Sequence, residues 1–308
     1  MKRREFSFDL LAGLGLLAAV PYAQAASPSM PQPAASDAAW RTALKAIEST
    51  LQGGRLGVAM LDTGTGRALG WRQDERFPMA STFKLVLAGW MLARVDEGQE
   101  SLQNRVRYEH SALVPYSPAT EKHAGANGMT VGELCEATVT LSDNTAANLL
   151  LARHGGPAGF TAFTRSLGDA QTRLDRTEPT LNEAIAGDPR DTTTPMAMLH
   201  TLRKLVLGDA LSAASRMQLT QWIVDNKTGD KRLRAGVPGW KVGDKTGTGA
   251  NGSSNDIGVL WPPGGGAPVL VTCYMTGVPA APEVRDAAIA QVAREVAAAV
   301  GRAGPTAS

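Results

Sequence analysis

Two periods of apolar residues alternate along the chain. Trp40, Leu44, Ile47 and Leu51 recur at helical spacing and stop at Gly53-Gly54, which predicts a helix that Asp37 can cap. Leu56 to Leu61 then reads as a strand, Asp62-Thr63-Gly64-Thr65-Gly66 as a turn, and Ala68 to Trp71 as a returning strand. From Ser81 to about Val224 the pattern is mostly helical, with caps at Thr130 before Val131-Gly132-Glu133-Leu134 and at Thr194 before Pro195. Within it, Leu85 to Ala93 is apolar nearly all round, which predicts a buried helix. Asp175 to Asp191 has only weak periodicity. Strand patterns resume at Trp240 to Thr246, at Asn255 to Trp261 and, after a Pro/Gly-rich turn, at Pro268 to Thr276. Pro282 to Val300 closes the pattern as an amphipathic helix carrying Val284, Ala288, Val292, Val296 and Ala299.

Strands therefore flank a helical insert, and hairpin links make them antiparallel. The expected fold class is α/β of the α+β type: a five-stranded antiparallel sheet flanked by N- and C-terminal helices, plus an inserted all-helical domain. Residues 26–76 and 225–308 would form the discontinuous α/β domain, and residues 77–224 the all-α domain.

The chain has 308 residues, 43% hydrophobic and 19% charged, which is ordinary globular composition. A formal net charge of +2 gives no reason to expect nucleic acid or an acidic membrane as partner. Lys2-Arg3-Arg4, the apolar run Leu10 to Val20 and Ala23-Gln24-Ala25 read as an export signal over residues 1–25. Arg3-Arg4 with Phe6 resembles a twin-arginine signal, and a general secretory signal reads almost as well. The mature protein is then expected in the periplasm or secreted, free of the membrane, and monomeric. Cys135 and Cys273 are the only cysteines and make no disulfide framework. The four histidines are scattered without metal-type spacing, so neither a metal nor another cofactor is expected.

Candidate chemistry enters at Phe77-Pro78-Met79-Ala80-Ser81-Thr82-Phe83-Lys84. Ser81 and Lys84 share a helix face, with Ser81 at the positive N-terminal end and Lys84 one turn into a dry helix. Desolvation lowers a buried lysine's pKa, so the two form a nucleophile–base pair. On this octapeptide alone, a helix cap and a snorkelling lysine are the better account of both residues. Three further stretches supply partners. Ser142-Asp143-Asn144 opens a helix, and any of the three can cap it. Lys245-Thr246-Gly247 ends a strand pattern, where Gly247 would let a ligand approach the backbone. Glu178-Pro179-Thr180-Leu181-Asn182 lies in the weakly periodic stretch. Two of these have decoys: Ser253-Ser254-Asn255 at a strand start, and Lys227-Thr228-Gly229, which reads as a solvated loop.

Ser-x-x-Lys, Ser-Asp-Asn and Lys-Thr-Gly in this order are the class A β-lactamase set. With Glu178, and with Tyr116-Ser117-Pro118 and Asp188-Pro189-Arg190-Asp191-Thr192-Thr193, the chain resembles that family from the first helix after the signal to the last. The resemblance implies an active site in the cleft between the two domains. Ser81 would be acylated by the lactam carbonyl, with the backbone N–H groups of Ser81 and Thr248 as oxyanion hole. Lys84, or Glu178 through a water, would take the serine proton, and Ser142 with Lys245 would protonate the leaving nitrogen. Glu178 and Asn182 would activate the deacylating water. Tyr116, Asn144, Arg232, Lys245, Thr246, Gly247 and Thr248 would bind substrate: Asn144 at the acylamide side chain, Lys245, Thr246 and Thr248 at the carboxylate. Arg176 and Asp191 would form a buried ion pair pinning the Glu178 loop.

Departures from the family pattern matter as well. Some members place a carboxylate-binding arginine where Ser253-Ser254-Asn255 stands, and Arg232 matches the alternative position. Ala88 stands where some members hold the disulfide partner of Cys135, so two free thiols are expected. Ala80 and Gly249 occupy the positions of the carbapenemase cysteine pair. Penicillins and some cephalosporins are the expected substrates, with carbapenems poorly hydrolysed. A penicillin-binding transpeptidase and a β-lactam sensor share the serine machinery. The first lacks the Glu178 loop, and the second needs a membrane-spanning segment, which the pattern does not contain. A plain binding module leaves all four motifs unexplained.

Overall fold

A computed structural model describes residues 35–125 and 127–301; the expected signal segment lies outside them. Helix α1 (Ala35–Ser49) precedes strands β1 (Arg55–Asp62), β2 (Ala68–Trp71) and the two-residue β3 (Phe77–Pro78). A 3-10 turn (Ala80–Thr82) leads into α2 (Phe83–Asp96). The short strands β4 (Arg105–Val106) and β5 (Met129–Thr130) precede α3 (Val131–Thr140), α4 (Asn144–Arg153) and α5 (Gly156–Ser166). After β6 (Thr192–Thr193) come α6 (Pro195–Val206), α7 (Ala213–Val224) and α8 (Leu233–Gly236). Strands β7 (Lys241–Thr248), β8 (Ser254–Trp261) and β9 (Val269–Thr276) precede α9 (Pro282–Gly301).

The main sheet is antiparallel with order β2-β1-β9-β8-β7, so the two ends of the chain interleave through the β1–β9 pair. Strands β1, β8 and β9 are buried on both faces, and their alternation sorts the side chains. Leu56, Val58 and Met60 of β1, with Val269, Val271, Cys273 and Met275 of β9, pack with Trp40, Leu44 and Ile47 of α1 and Ile289, Val292 and Val296 of α9. Ala59, Leu61, Leu270 and Tyr274 face the other way, into a core shared with α2, α3 and α6. The α2 face is buried without a break from Phe83 to Ala93. At roughly 1.5–3 kcal/mol per large apolar side chain, this helix anchors the segment that precedes it.

Three local expectations shift. Asp37 lies inside the first turn of α1, not ahead of it, and pairs with Arg67 at 2.8 Å. Leu51 is buried but falls beyond the end of α1, and Val284 of α9 is exposed. A Cβ at Gly247 would lie 2.8 Å from the Met79 carbonyl oxygen, so this glycine lets the Ser81 turn close on edge strand β7.

Candidate active site

Ser81 sits in the 3-10 turn before α2, after Ala80 at φ 44°. The turn is held from the sheet. Asn255 Nδ2 donates to the Pro78 and Met79 carbonyls at 2.9 and 3.0 Å, and Thr82 Oγ1 donates to Met79 at 2.8 Å. Asn255 belongs to the triplet read as a decoy, so its work is to brace the turn from β8.

Lys84 is fully buried. Its Nζ donates to the Ser142 carbonyl at 2.8 Å and to Asn144 Oδ1 at 2.6 Å, and lies 2.9 Å from Glu178 Oε1. Burial pushes its pKa down, and the Glu178 charge opposes that shift. Ser142, at φ 60°, is held by two lysines: Lys84 on its carbonyl and Lys245, whose Nζ donates to Ser142 Oγ at 3.0 Å. Burial first, then the neighbouring Lys84 charge, pushes the Lys245 pKa down to about 7. Of the three capping candidates, only Asp143 caps α4, accepting from the Ala146 N–H at 2.8 Å. Its carboxylate also takes the N–H groups of Ala119 and Thr120, which fixes the Tyr116 segment. Asn144 is engaged at both ends, with Oδ1 on Lys84 and Nδ2 on the Pro115 carbonyl at 2.8 Å.

Glu178 is buried. Its Oε2 accepts from Asn182 Nδ2, and its Oε1 has no partner beyond the Lys84 ion pair. Asn148 clamps its backbone: Oδ1 takes the Glu178 N–H and Nδ2 donates to the Glu178 carbonyl, both at 2.9 Å. At the loop ends, Arg176 Nε donates to Asp191 Oδ2 at 2.6 Å. The expected buried pair is buried on one side only, with side-chain exposures of 16% for Arg176 and 1% for Asp191. Asp191 also accepts from the Asp175 and Arg176 N–H groups.

A cleft of about 360 Å³ is lined by Ser81, Tyr116, Ser142, Asn144, Asn182, Thr228, Arg232, Thr246 and Thr248. Lys84, Glu178 and Lys245 lie behind this lining, fully buried. Tyr116, at φ 64° and 61% exposed, forms the rim. Among the described residues, no group of three His, Cys, Asp or Glu is placed to hold a metal.

The β-lactamase enzyme family matches residues 39–300. β-Lactamase L2 of Stenotrophomonas maltophilia is 48% identical over 297 residues, covering 95% of this chain and 97% of its own. The solved structure of an ancestral class A β-lactamase (GNCA) is 63% identical with a TM-score of 0.82, covering 84% and 99% of the two chains. That of the putative class A β-lactamase PenP from Rhodopseudomonas palustris is 61% identical, again with a TM-score of 0.82, covering 85% and 99%. The chain belongs to the class A β-lactamases.

Two residues of this β-lactamase are held by bonds that the motifs do not show. Arg232 lines the cleft. Its Nε pairs with Asp286 at 2.7 Å, Nη1 donates to the Gly247 and Asn255 carbonyls, and Nη2 donates to Thr248 Oγ1 at 2.8 Å. It also bonds the cleft-lining Thr248 hydroxyl, and Asp286 offsets part of its charge. Thr228 is not in a solvated loop but in the cleft wall, with its Oγ1 2.5 Å from Thr246 Oγ1. The β-lactamase also uses residues that the motif reading passed over. Asn148 lies one helical turn after Asn144, a spacing that puts both on one face of α4 and could have flagged it. Asn226 and Asp244, which stand behind Thr228, carry no such signal.

Proposed function

We propose that this β-lactamase opens penicillins and cephalosporins through an acyl-enzyme on Ser81. Ser81 Oγ attacks the lactam carbonyl carbon, the C–N bond breaks, and the carbonyl becomes an ester on Ser81. The N–H groups of Ser81 and Thr248 would stabilise the oxyanion, a donor of this kind being worth about 10²–10³ in rate. Two bases are poised for the serine proton: Lys84, whose ammonium is disfavoured by burial, and Glu178 acting through a water. Ser142, hydrogen-bonded to Lys245, would pass a proton to the leaving nitrogen. Water activated by Glu178 and oriented by Asn182 would then cleave the ester and return the Ser81 hydroxyl. Lys245, Thr248 and, through Thr248, Arg232 would receive the substrate carboxylate, beside Thr246 on the same strand.

The observation that carries this reading is the buried Glu178 carboxylate, held between Lys84 and Asn182 at the cleft that contains Ser81. An acylated serine beside such a group is suited to turnover and not to a stable adduct. Steady-state hydrolysis of a chromogenic cephalosporin by the mature protein tests it: many turnovers per enzyme, abolished by Ser81→Ala. One equivalent of product followed by silence would contradict it and favour a sensor. Carbapenem turnover as fast as that of benzylpenicillin would overturn the narrower substrate range expected without the carbapenemase cysteines.

Export of residues 26–308 as a monomer, and the division into residues 26–76 with 225–308 and residues 77–224, belong to the same proposal. No helix among the described residues is long and apolar enough to cross a membrane. Ser81, Ser142 and Asn182 on one side of the cleft and Thr228 to Thr248 on the other support that division.

A further inference from the structure

Thr246 and Thr248 flank Gly247 on β7 and both line the cleft, yet their hydroxyl protons are disposed differently. A hydroxyl has one proton to donate and two lone pairs to accept with. Thr248 Oγ1 accepts from Arg232 Nη2 at 2.8 Å, so its own proton is free and is polarised by the guanidinium.

Thr246 is the opposite case. The Thr228 N–H lies 3.1 Å from Asn226 Oδ1, and an N–H can only donate, so the amide oxygen of Asn226 faces Thr228. The amide nitrogen of Asn226 accordingly donates to Asp244 Oδ2 at 2.9 Å. Thr228 Oγ1 lies 2.9 Å from the same Oδ1 and must donate its proton there. In the 2.5 Å contact between Thr228 and Thr246, Thr246 is therefore the donor. The chain of donation runs from Thr246 to Thr228 to Asn226, and from Asn226 to Asp244, away from the cleft. A substrate carboxylate only accepts, so it gains nothing from a hydroxyl whose proton is committed elsewhere.

We propose that Thr228 is a positioning residue for substrate binding: its hydroxyl holds the Thr246 proton away from the cleft and leaves Thr248 as the resting hydroxyl donor to the substrate carboxylate. The proposal rests on the carboxylate reading of this end of the cleft. Removing the Thr228 hydroxyl returns the Thr246 proton to the cleft and tightens binding of carboxylate-bearing β-lactams. The loop itself keeps the bond from the Thr228 N–H to Asn226.

The test is the dissociation constant of benzylpenicillin measured by calorimetry in a Ser81→Ala background, where no ester forms. Thr228→Val should tighten binding about three- to ten-fold, the value of one net hydrogen bond. Thr228→Ser, which keeps the hydroxyl, should match the parent. Adding Thr246→Val to Thr228→Val should cancel the gain, and benzylpenicillin methyl ester should show no gain at all. Unchanged or weaker binding in Thr228→Val, or equal tightening of the ester, overturns the proposal. Thr228→Ala, with the same expectation, serves if the valine variant fails to fold. Thr248→Val separates the two levels. If it leaves binding unchanged, the carboxylate reading fails. If it weakens binding but Thr228→Val does not tighten it, only the role of Thr228 fails.

Discussion

Lys84 and Lys245 are two amines taken out of water on either side of Ser142; burial disfavours the ammonium form of both, and the Lys84 charge disfavours that of Lys245 further. With Lys245 near 7 in the folded protein against about 10.4 unfolded, the unfolded chain holds the extra proton between those values. Stability should therefore rise with pH across that window, while the cost of the buried ammonium is borne in full below it. Activity runs the other way. The ammonium that bonds Ser142 and, on the proposed mechanism, would face the substrate carboxylate is lost as pH rises through about 7, so kcat/KM of the free enzyme should fall on that side. Lys245→Arg keeps its charge and should move the alkaline limb upward; superimposable kcat/KM profiles for the two proteins would refute the role of the charge. Arg232→Ala has a broader expected effect than a lost cation would have. It removes bonds to two strand carbonyls and to Thr248, and it strands Asp286, so it should lower the melting temperature as well as raise KM for penicillins. A thermal scan showing no loss of stability would contradict the bracing role. Ser81, Lys84, Ser142 and Glu178 were legible as chemistry because each sits in a motif of fixed spacing. Thr228 was not, since a hydroxyl pair 18 positions apart depends on how the turn after α7 meets β7.

At the scale of elements, the strands and capped helices follow from periods of two and 3.6, and the structure matches them within a few residues. The irregular segment between Asp175 and Asp191 has no period to read, and its order comes from side chains bonding to backbone. Asn148 supplies both bonds that hold Glu178 from α4. Asn148→Ala leaves a buried N–H and carbonyl unpaired, at about 1–3 kcal/mol each if water does not replace the amide. Deacylation should then slow more than acylation, so rapid-quench analysis should find more acyl-enzyme at steady state than in wild type. An unchanged acyl-enzyme fraction would contradict the clamp. Asp191→Ala removes the loop's other anchor. A broken buried pair costs about 3–5 kcal/mol, and the partly exposed Arg176 places this one at or below the lower end. The corresponding fall in melting temperature is the check, and stability equal to wild type would show that the pair contributes nothing.

For the whole molecule, the β1–β9 pairing brings both ends of the chain into one sheet, and edge strand β7 meets the Ser81 turn where Gly247 permits it. Cys135 and Cys273 are free and buried in separate cores, on opposite faces of the sheet, and burial pushes both thiols up. Thiol titration should find almost no reaction in the native protein and two thiols after unfolding without reductant; none after unfolding would mean a disulfide. The fold places Ser81, the buried Glu178 carboxylate and the edge of β7 at one cleft. On the proposed mechanism Lys84 can serve as the base for acylation without Glu178, whereas deacylation would need Glu178 with Asn182. Removing a general base typically costs about 10²–10⁴ in rate, so the adduct of Glu178→Ala should persist for minutes or longer. Intact-protein mass spectrometry after mixing with a penicillin should show the full mass of the drug added to Glu178→Ala, on Ser81, while wild type consumes the drug and stays mostly unmodified. Wild type that remains acylated, or a Glu178→Ala variant that turns over normally, would contradict the account.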